Sequence, residues 1–173
     1  AIAAFTVNGA GTAVINTATI STAAQAYTTA TRLAQDVTLT SAAISFSGTG
    51  TVNGTGNGTE SLTIVNSGNA TITANIGTAS NQALEFINIS GDVSSLAASI
   101  TTASAGGGTG AQTYQNTVTL TGTSVLSGAS IVRAAGDDIV GGNQDLTLNF
   151  SSPYTIDQKS DQQKIVGVKD LTL

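Results

Sequence analysis

The sequence predicts an all-β protein, a parallel β-solenoid in which each coil has three sides and about 25 residues. Three observations predict it. A strand-like triplet recurs at a nearly fixed interval, short strands of alternating polarity come in threes within that interval, and helical patterns are nearly missing. A strand that returns about every 20 to 50 residues is typical of a solenoid, where each repeat buries its apolar side on the next.

The triplet consists of an apolar residue, a Thr or Asn, and a second apolar residue. Its first residues follow one another at steps of 25, 25, 31, 28 and 25. In a strand the first and third side chains point to one side, so we expect them inside the coil, with the middle residues stacked outside as a ladder. The copies are Val37-Thr38-Leu39, Leu62-Thr63-Ile64, Ile87-Asn88-Ile89, Val118-Thr119-Leu120, Leu146-Thr147-Leu148 and Leu171-Thr172-Leu173.

Further short strands follow the triplets and would form the other two sides of each coil. Clusters of Gly, Asn and Ser separate them, as at residues 53–58. The widest step contains the Gly-rich segment 103–110, which we expect to bulge from a corner, where binding loops of repeat proteins often lie. The strands are Ile44-Ser45-Phe46, Thr51-Val52, residues 70–74, Ile76, Val125-Leu126, Ile131-Val132, Ile139-Val140, Tyr154-Thr155-Ile156 and residues 165–168.

An antiparallel β-sandwich is the alternative fold, since its strands also alternate with turns about every 8 to 12 residues. Two observations favour the solenoid. The interval between like strands is regular, and tight hairpin dipeptides between adjacent strands are few.

One domain accounts for residues 1–173. Residues 1–36 form an N-terminal strand and an Ala/Thr-rich segment, and residues 37–173 form the repeats. The best helical candidate is the Ala-rich stretch 22–36, although its β-branched Thr residues interrupt the pattern. Residues 96–102 are a second candidate, for one short helical turn.

The composition narrows the possible functions. The chain has no Cys or His, so the commonest metal ligands and the usual general base are missing, and no disulfide framework exists. Five basic against ten acidic residues give a net charge of −5, without the basic footprint that nucleic acid or an anionic membrane requires. No apolar run is long enough to insert into a membrane. Few lysines with many Thr, Asn and Ser are common in bacterial surface proteins, so we expect an extracellular or cell-surface location.

Residues 109–122 resemble a recurring element of bacterial filamentous-haemagglutinin-like and autotransporter-like surface proteins. That element reads Thr-Gly-Ala-Gln-Thr-Tyr, then a polar pair, then Val-Thr-Leu. Residues 142–150 are similar to the strand that follows it there, and Ala24-Gln25-Ala26-Tyr27 resembles an earlier, degenerate copy. The resemblance covers roughly residues 24–150 and implies an extracellular β-helix in an adhesin-type or structural protein, with no catalytic residues.

Residues 133–146 partly resemble the calcium-binding nonapeptide repeat. Calcium takes six to eight oxygen ligands, which stacked turns of Asp and backbone carbonyls can supply. The candidate ligands are Asp137, Asp138 and Asp145. The other interpretation is a solvated turn in which Asp and Gly provide the backbone angles. Calcium is the only cofactor that the sequence suggests.

Five Asn residues lie in Asn-x-Ser/Thr sequences and would accept glycans in a host that modifies such sites. A chain this rich in Asn and Thr is also expected to contain several such sequences by chance. They are Asn53, Asn57, Asn69, Asn88 and Asn149.

An enzyme is not expected. Asp137 and Asp138 are adjacent, so on a strand they would point to opposite sides, which does not suit paired acid-base catalysis. The charged residues between 157 and 164 are more typical of a solvated corner.

Both terminal segments are apolar and strand-like, and a solenoid exposes unpaired backbone groups wherever its end coil is uncapped. We expect these strands to pair with another copy of the chain and to build a filament or layer head to tail. The alternative is the passenger or stalk segment of an adhesin, with a host glycan or protein as partner. The expected contact residues are Ile2, Phe5, Val7, Ile165, Val166, Val168, Leu171 and Leu173.

Overall fold

The computed structural model describes residues 2–103, 108–133, 138–153 and 164–173. Within these ranges the chain forms 21 strands and no helix. The strands are β1 Ala4–Val7, β2 Thr12–Ile15, β3 Thr19–Ser21, β4 Ala24–Tyr27, β5 Ala30–Leu33, β6 Val37–Ser41, β7 Ala43–Phe46, β8 Val52–Asn53, β9 Leu62–Asn66, β10 Asn69–Ile72, β11 Ile87–Ile89, β12 Asp92–Leu96, β13 Ser99–Thr101, β14 Ala111–Tyr114, β15 Val118–Leu120, β16 Ser124–Gly128, β17 Ser130–Arg133, β18 Ile139–Val140, β19 Leu146–Phe150, β20 Ile165–Val166 and β21 Leu171–Thr172.

The strands stack into three parallel faces. Face 1 has the order β1-β4-β7-β10-β12-β15-β18-β20, and face 3 has the order β3-β6-β9-β11-β14-β17. Face 2 consists of β2-β5-β8 and β13-β16-β19-β21. Ile76 joins these two parts through bridges to Val52 and Ile100. The predicted three-sided solenoid is therefore confirmed, and because every strand pairing described is parallel, the sandwich alternative is wrong.

The coils number about seven, with roughly 22 residues each rather than the expected 25. Paired residues on face 1 lie between 19 and 26 positions apart, as Ala24 with Ala43 and Ile44 with Ala70 show. Extra residues are accommodated at the corners, for example in the turn 53–60. The coil length therefore varies while the sheet register is kept.

The alternation predicted within the triplets is confirmed. Val37 and Leu39 are almost fully buried, whereas Thr38 between them points outward and stays partly exposed. On face 3 the outward residues stack in register as the ladder Thr19, Thr38, Thr63, Asn88, Thr113 and Val132. Stacked β-branched side chains suit the spacing of about 4.8 Å between neighbouring strands.

The six triplets do not form one column, which corrects the expected stacking. Those at Val37, Leu62 and Ile87 lie on face 3 and pair in register. The one at Val118 lies on face 1, and those at Leu146 and Leu171 lie on face 2. The steps of 31 and 28 residues are longer because each spans a full coil and one further side of the next coil, which moves the triplet to the next face.

Both helical predictions are wrong. Residues 22–36 contain β4 and β5, and residues 96–102 contain the end of β12 and all of β13. In β5 the side chains alternate, with Thr31 and Leu33 buried and Ala30 and Arg32 partly exposed. Ala has the highest helix propensity, but its advantage over most other residues is below about 1 kcal/mol per residue. Backbone hydrogen bonds to a strand on each side outweigh it.

The core runs through the centre of the coils and consists mainly of Ile, Leu and Val. At the end of the core near β1, three aromatic rings follow one another along face 1. The ring centroids of Phe5 and Tyr27 are 6.0 Å apart, and those of Tyr27 and Phe46 are 5.0 Å apart and nearly parallel. The interior also contains polar residues that are almost fully buried, above all Gln25 and Gln112.

Candidate assembly interface

The coil stack has two ends, named here the β1 end and the β20 end. At the β1 end, the strands β1, β2 and β3 each have one neighbouring strand. At the β20 end the same holds for β20 and β21 among the described residues. An edge strand leaves every second residue's N–H and C=O unpaired, so each end presents groups that a further strand could pair with.

The backbone hydrogen bonds identify which residues of β1 face the open edge. The carbonyls of Ala3 and Val7 accept from the N–H groups of Ala24 at 3.1 Å and Thr28 at 2.9 Å. In a parallel pair alternate residues point to the same neighbour. The N–H and C=O of Ala4 and Thr6 therefore point away from β4, toward the open edge.

The β20 end has the corresponding geometry. Lys164 O accepts from Ile139 N at 2.8 Å, and Val166 O accepts from Gly141 N at 2.6 Å. Both carbonyls point toward β18. On face 2, Asp170 O accepts from Leu146 N at 2.9 Å, so the backbone groups of Leu171 face the open edge of β21.

The predicted contact residues divide between the two ends and do not meet within one chain. Phe5 and Val7 are half-buried against the core at the β1 end, and Ile2 beside them is 65% exposed. At the β20 end Ile165 is buried and Val168 half-buried, whereas Leu171 and Leu173 are 41% and 71% exposed. Val166 points outward from face 1 and is partly exposed. Each end thus carries both core residues and exposed apolar side chains.

Charges at the β20 end are largely compensated within the chain. Lys169 Nζ lies 3.5 Å from Asp145 Oδ1 and 3.4 Å from Asp170 Oδ2, and these carboxylates raise the pKa of the lysine. Arg133 Nη1 donates to Lys164 O at 3.0 Å. Burial lowers the pKa of Arg133, and Asp138 acts in the opposite direction.

The calcium candidates are not brought into one cluster among the described residues. Asp138 Oδ1 accepts from Lys164 N at 2.8 Å at the start of β18, and Asp145 lies beside Lys169 before β19. Asp137 lies outside the described residues. Within the described ranges no group of three or more acidic side chains could hold a metal ion. Calcium binding stays a prediction.

The glycan acceptor candidates differ in accessibility. Asn69 on β10 and Asn149 on β19 are exposed, and Asn57 is partly exposed. Asn88 lies in the outward ladder of face 3, and its Oδ1 accepts from Gln115 Nε2 at 3.1 Å. Asn53 Oδ1 accepts from Ala79 N at 3.2 Å. Exposure alone favours Asn69 and Asn149 as acceptors.

Two buried pairs of Gln and Tyr are not predictable from the alternation of the strands, although both lie in an Ala-Gln-x-Tyr sequence. Tyr27 Oη donates to Gln25 Oε1 at 2.7 Å, and Gln25 Nε2 donates to the carbonyls of Ile20 and Thr40, each at 3.0 Å. Ile20 and Thr40 belong to successive coils, so one amide connects two coils at a corner.

The second pair repeats this arrangement on another face. Tyr114 Oη donates to Gln112 Oε1 at 2.9 Å, and Gln112 Nε2 donates to Ile100 O at 3.0 Å and Ser127 O at 2.8 Å. Burial raises the pKa of Tyr27 and of Tyr114. The common sequence therefore encodes one corner structure, used at face 1 by the first pair and at face 3 by the second.

Glu60 closes the corner turn that follows β8. Its carboxylate accepts from the N–H groups of Thr55 at 2.9 Å and Gly56 at 3.4 Å, and from the hydroxyls of Thr55 and Thr59. Burial acts to raise the pKa of Glu60, but these hydrogen bonds outweigh it and lower the pKa. These hydrogen bonds all come from donors within the turn, so the carboxylate stabilises the turn.

Among the described residues no helix is long and apolar enough to cross a membrane. Comparison of the chain with known protein families, curated proteins and solved structures finds no match.

Proposed function

We propose that this chain is a non-catalytic, extracellular structural protein that assembles head to tail into a filament or layer by edge-strand addition. The observation that carries the proposal is the geometry of the two ends. Strands at both ends run in the same direction, so a second copy translated along the solenoid axis would place its β1 parallel to β20 of the first copy.

The core supports the same contact. An inward column on face 1 runs in register from Phe5 through Gln25, Ile44, Ala70, Val93, Val118 and Ile139 to Ile165. Docking would continue this column from Ile165 of one copy to Phe5 of the next. It would cover the exposed Leu171 and Leu173 in the same step, so hydrophobic burial and backbone pairing favour the same arrangement.

A proline at Thr6 tests the proposal with little effect on the single chain. The Thr6 N–H faces the open edge, and proline is tolerated in edge strands where that N–H is unpaired. Thr6→Pro is therefore expected to leave the monomer folded and to abolish fibres in negative-stain electron microscopy. Thr6→Val keeps the N–H and is the matched control, which should form fibres like the parent chain.

Deleting residues 165–173 tests the other end and should also abolish fibres. Fibres that survive this deletion, or that form normally with Thr6→Pro, would contradict the proposed contact. A parent chain that shows only single rods or particles would contradict self-assembly itself.

A second candidate function is the stalk or passenger segment of an adhesin that binds a host glycan or protein. A cleft of about 440 Å³ beside Ala103 favours it, since its lining is uncharged and includes hydroxyl and amide groups suited to sugar hydroxyls. These include Asn57, Thr101, Ser127 and Asn149. Single rods that bind a glycan array would support this candidate over self-assembly.

A further inference from the structure

Arg32 differs from the other described basic residues. Arg133 donates to Lys164 O, and Lys169 lies within ion-pair distance of Asp145 and Asp170. Within the described part of the chain, the Arg32 guanidinium forms no hydrogen bond or ion pair, although the side chain is partly buried. Such a group retains its capacity to bind a planar oxyanion through two parallel hydrogen bonds.

The guanidinium belongs to a cleft on the outer side of face 2. Arg32 on β5 pairs with Val14 on β2 and with Asn53 on β8, so these three outward residues occupy successive rungs. Gln82 from the segment before β11 forms the far wall. The cleft has a volume of about 350 Å³, within the usual range for small-molecule sites.

Hydrogen bonds fix the side chain of Asn53 and the main chain of Gln82 in the cleft. Asn53 Oδ1 accepts from Ala79 N at 3.2 Å, which fixes the amide orientation and leaves the Nδ2 donor for a ligand. Gln82 is held by backbone bonds, since its O accepts from Gly54 N and its N donates to Ala79 O, each at 3.0 Å. The cleft therefore combines one cation, one oriented amide at Asn53 and the side chain of Gln82.

We propose that this cleft binds the carboxylate of an acidic sugar. The lining contains no acidic residue. The carboxylate of Glu60 in the adjoining turn is already engaged by Thr55, Gly56 and Thr59. Val14 is 60% exposed at the cleft and offers an apolar surface on which the carbon face of a sugar ring can rest. This inference goes beyond the proposed assembly and does not depend on it, because the cleft is formed by outward side chains of face 2 and not by the backbone groups at the open edge.

The experiment is a titration of the full chain with glucuronate, followed by nitrogen–proton NMR of the Arg32 Nε–H and the Asn53 side-chain amide. A saturable shift of both signals is expected. Arg32→Gln should weaken binding by about 10- to 100-fold, the range for losing hydrogen bonds to a charged group. Asn53→Asp should weaken it similarly, since a new carboxylate beside the guanidinium would compete with the ligand.

Lys169→Gln is the matched control, because it removes one positive charge elsewhere and should leave the affinity within about twofold. Unchanged amide spectra outside the cleft would show that each variant is folded. The proposal is overturned if glucuronate produces no saturable shift, or if glucose produces the same shift. It is also overturned if Arg32→Gln binds as tightly as the parent chain, or if inorganic phosphate binds more tightly than glucuronate.

Discussion

The corner pair of Gln112 and Tyr114 allows a quantitative test of what stabilises the solenoid. Gln112 is fully buried and takes part in three hydrogen bonds, two as donor to the carbonyls of Ile100 and Ser127 and one as acceptor from Tyr114 Oη. Gln112→Leu keeps a similar volume and removes all three. The carbonyl of Ser127 retains a partner, because it also accepts from Thr102 N at 2.9 Å.

The loss in unfolding free energy depends on which buried groups lose their hydrogen-bond partners. Two lost donor bonds account for about 0.5–1.5 kcal/mol each, and the orphaned hydroxyl of Tyr114 adds about 1–3 kcal/mol. Gln112→Leu should therefore lower the free energy of unfolding by about 2–6 kcal/mol. Tyr114→Phe alone leaves only the Gln112 Oε1 without a partner, so it should cost about 1–3 kcal/mol.

The sharper expectation concerns the double variant. Once Gln112 is Leu, the hydroxyl of Tyr114 is a buried group without a partner, so removing it should restore about 1–3 kcal/mol. The substitution Tyr114→Phe is thus destabilising in the parent chain and stabilising in the Gln112→Leu background. Equilibrium urea unfolding of the four proteins, followed by circular dichroism, measures both effects.

The same four-protein cycle at Gln25 and Tyr27 provides an internal replicate, because the hydrogen bonds there have the same pattern. The reasoning would be refuted if removing the hydroxyl had the same sign in both backgrounds. A neutral Gln112→Leu would refute it as well, since the amide would then contribute nothing to joining the coils.

Three further predictions concern a glycine, a carboxylate and the buried tyrosines. Gly77→Ala should lower the free energy of unfolding by about 1–3 kcal/mol more than Gly48→Ala, as measured by thermal unfolding. Both glycines have a similar positive φ, but only the Cβ added at residue 77 would collide with a backbone carbonyl, that of Thr101. Equal losses of stability would contradict the collision. Glu60→Gln should destabilise the chain near neutral pH. The pKa of Glu60 is lowered in the folded state, so the difference in unfolding free energy between the parent chain and the variant should shrink as pH falls below about 4. A difference independent of pH would show that the charge of Glu60 does not contribute to stability. The two buried tyrosines, Tyr27 and Tyr114, have raised pKa values, so stability should be intact below about pH 10 and lost as pH rises further. In a Tyr154→Phe background, which leaves only these two tyrosines, phenolate absorbance should appear only on unfolding; phenolate formation by both in the folded chain would contradict their burial.

The strand pattern was predictable because it is local. Alternation such as that of Val37, Thr38 and Leu39 depends only on the geometry of an extended chain, so it indicates the buried side chains without knowledge of the partners. The stacking of the triplets was not predictable to the same degree. Corner insertions change the coil length, and a triplet can move to the next face, as the one at Val118 does, without losing its local pattern.

The predicted contact residues are recognisable for a similar reason. Apolar strand residues near both termini, such as Phe5 and Ile165, are visible in the sequence. Which backbone groups face the open edges depends on which alternate residues of each edge strand bond to its neighbour. Pairing of β1 with β4 and of β20 with β18 decides this. The sequence could therefore suggest contact strands but not the position of the proline test at Thr6.

By itself, the sequence determined the all-β solenoid class, the three strands per coil and the inward side of each strand, since these follow from short-range periodicity and from a composition with little helical pattern. Tertiary structure decided which strands share a face, how Gln112 joins two coils, and how Arg32, Asn53 and Gln82 come to line one cleft. These features join residues that are at least 12 positions apart in the chain. Their proximity depends on the summed lengths of the intervening sides and corners, which no local pattern records.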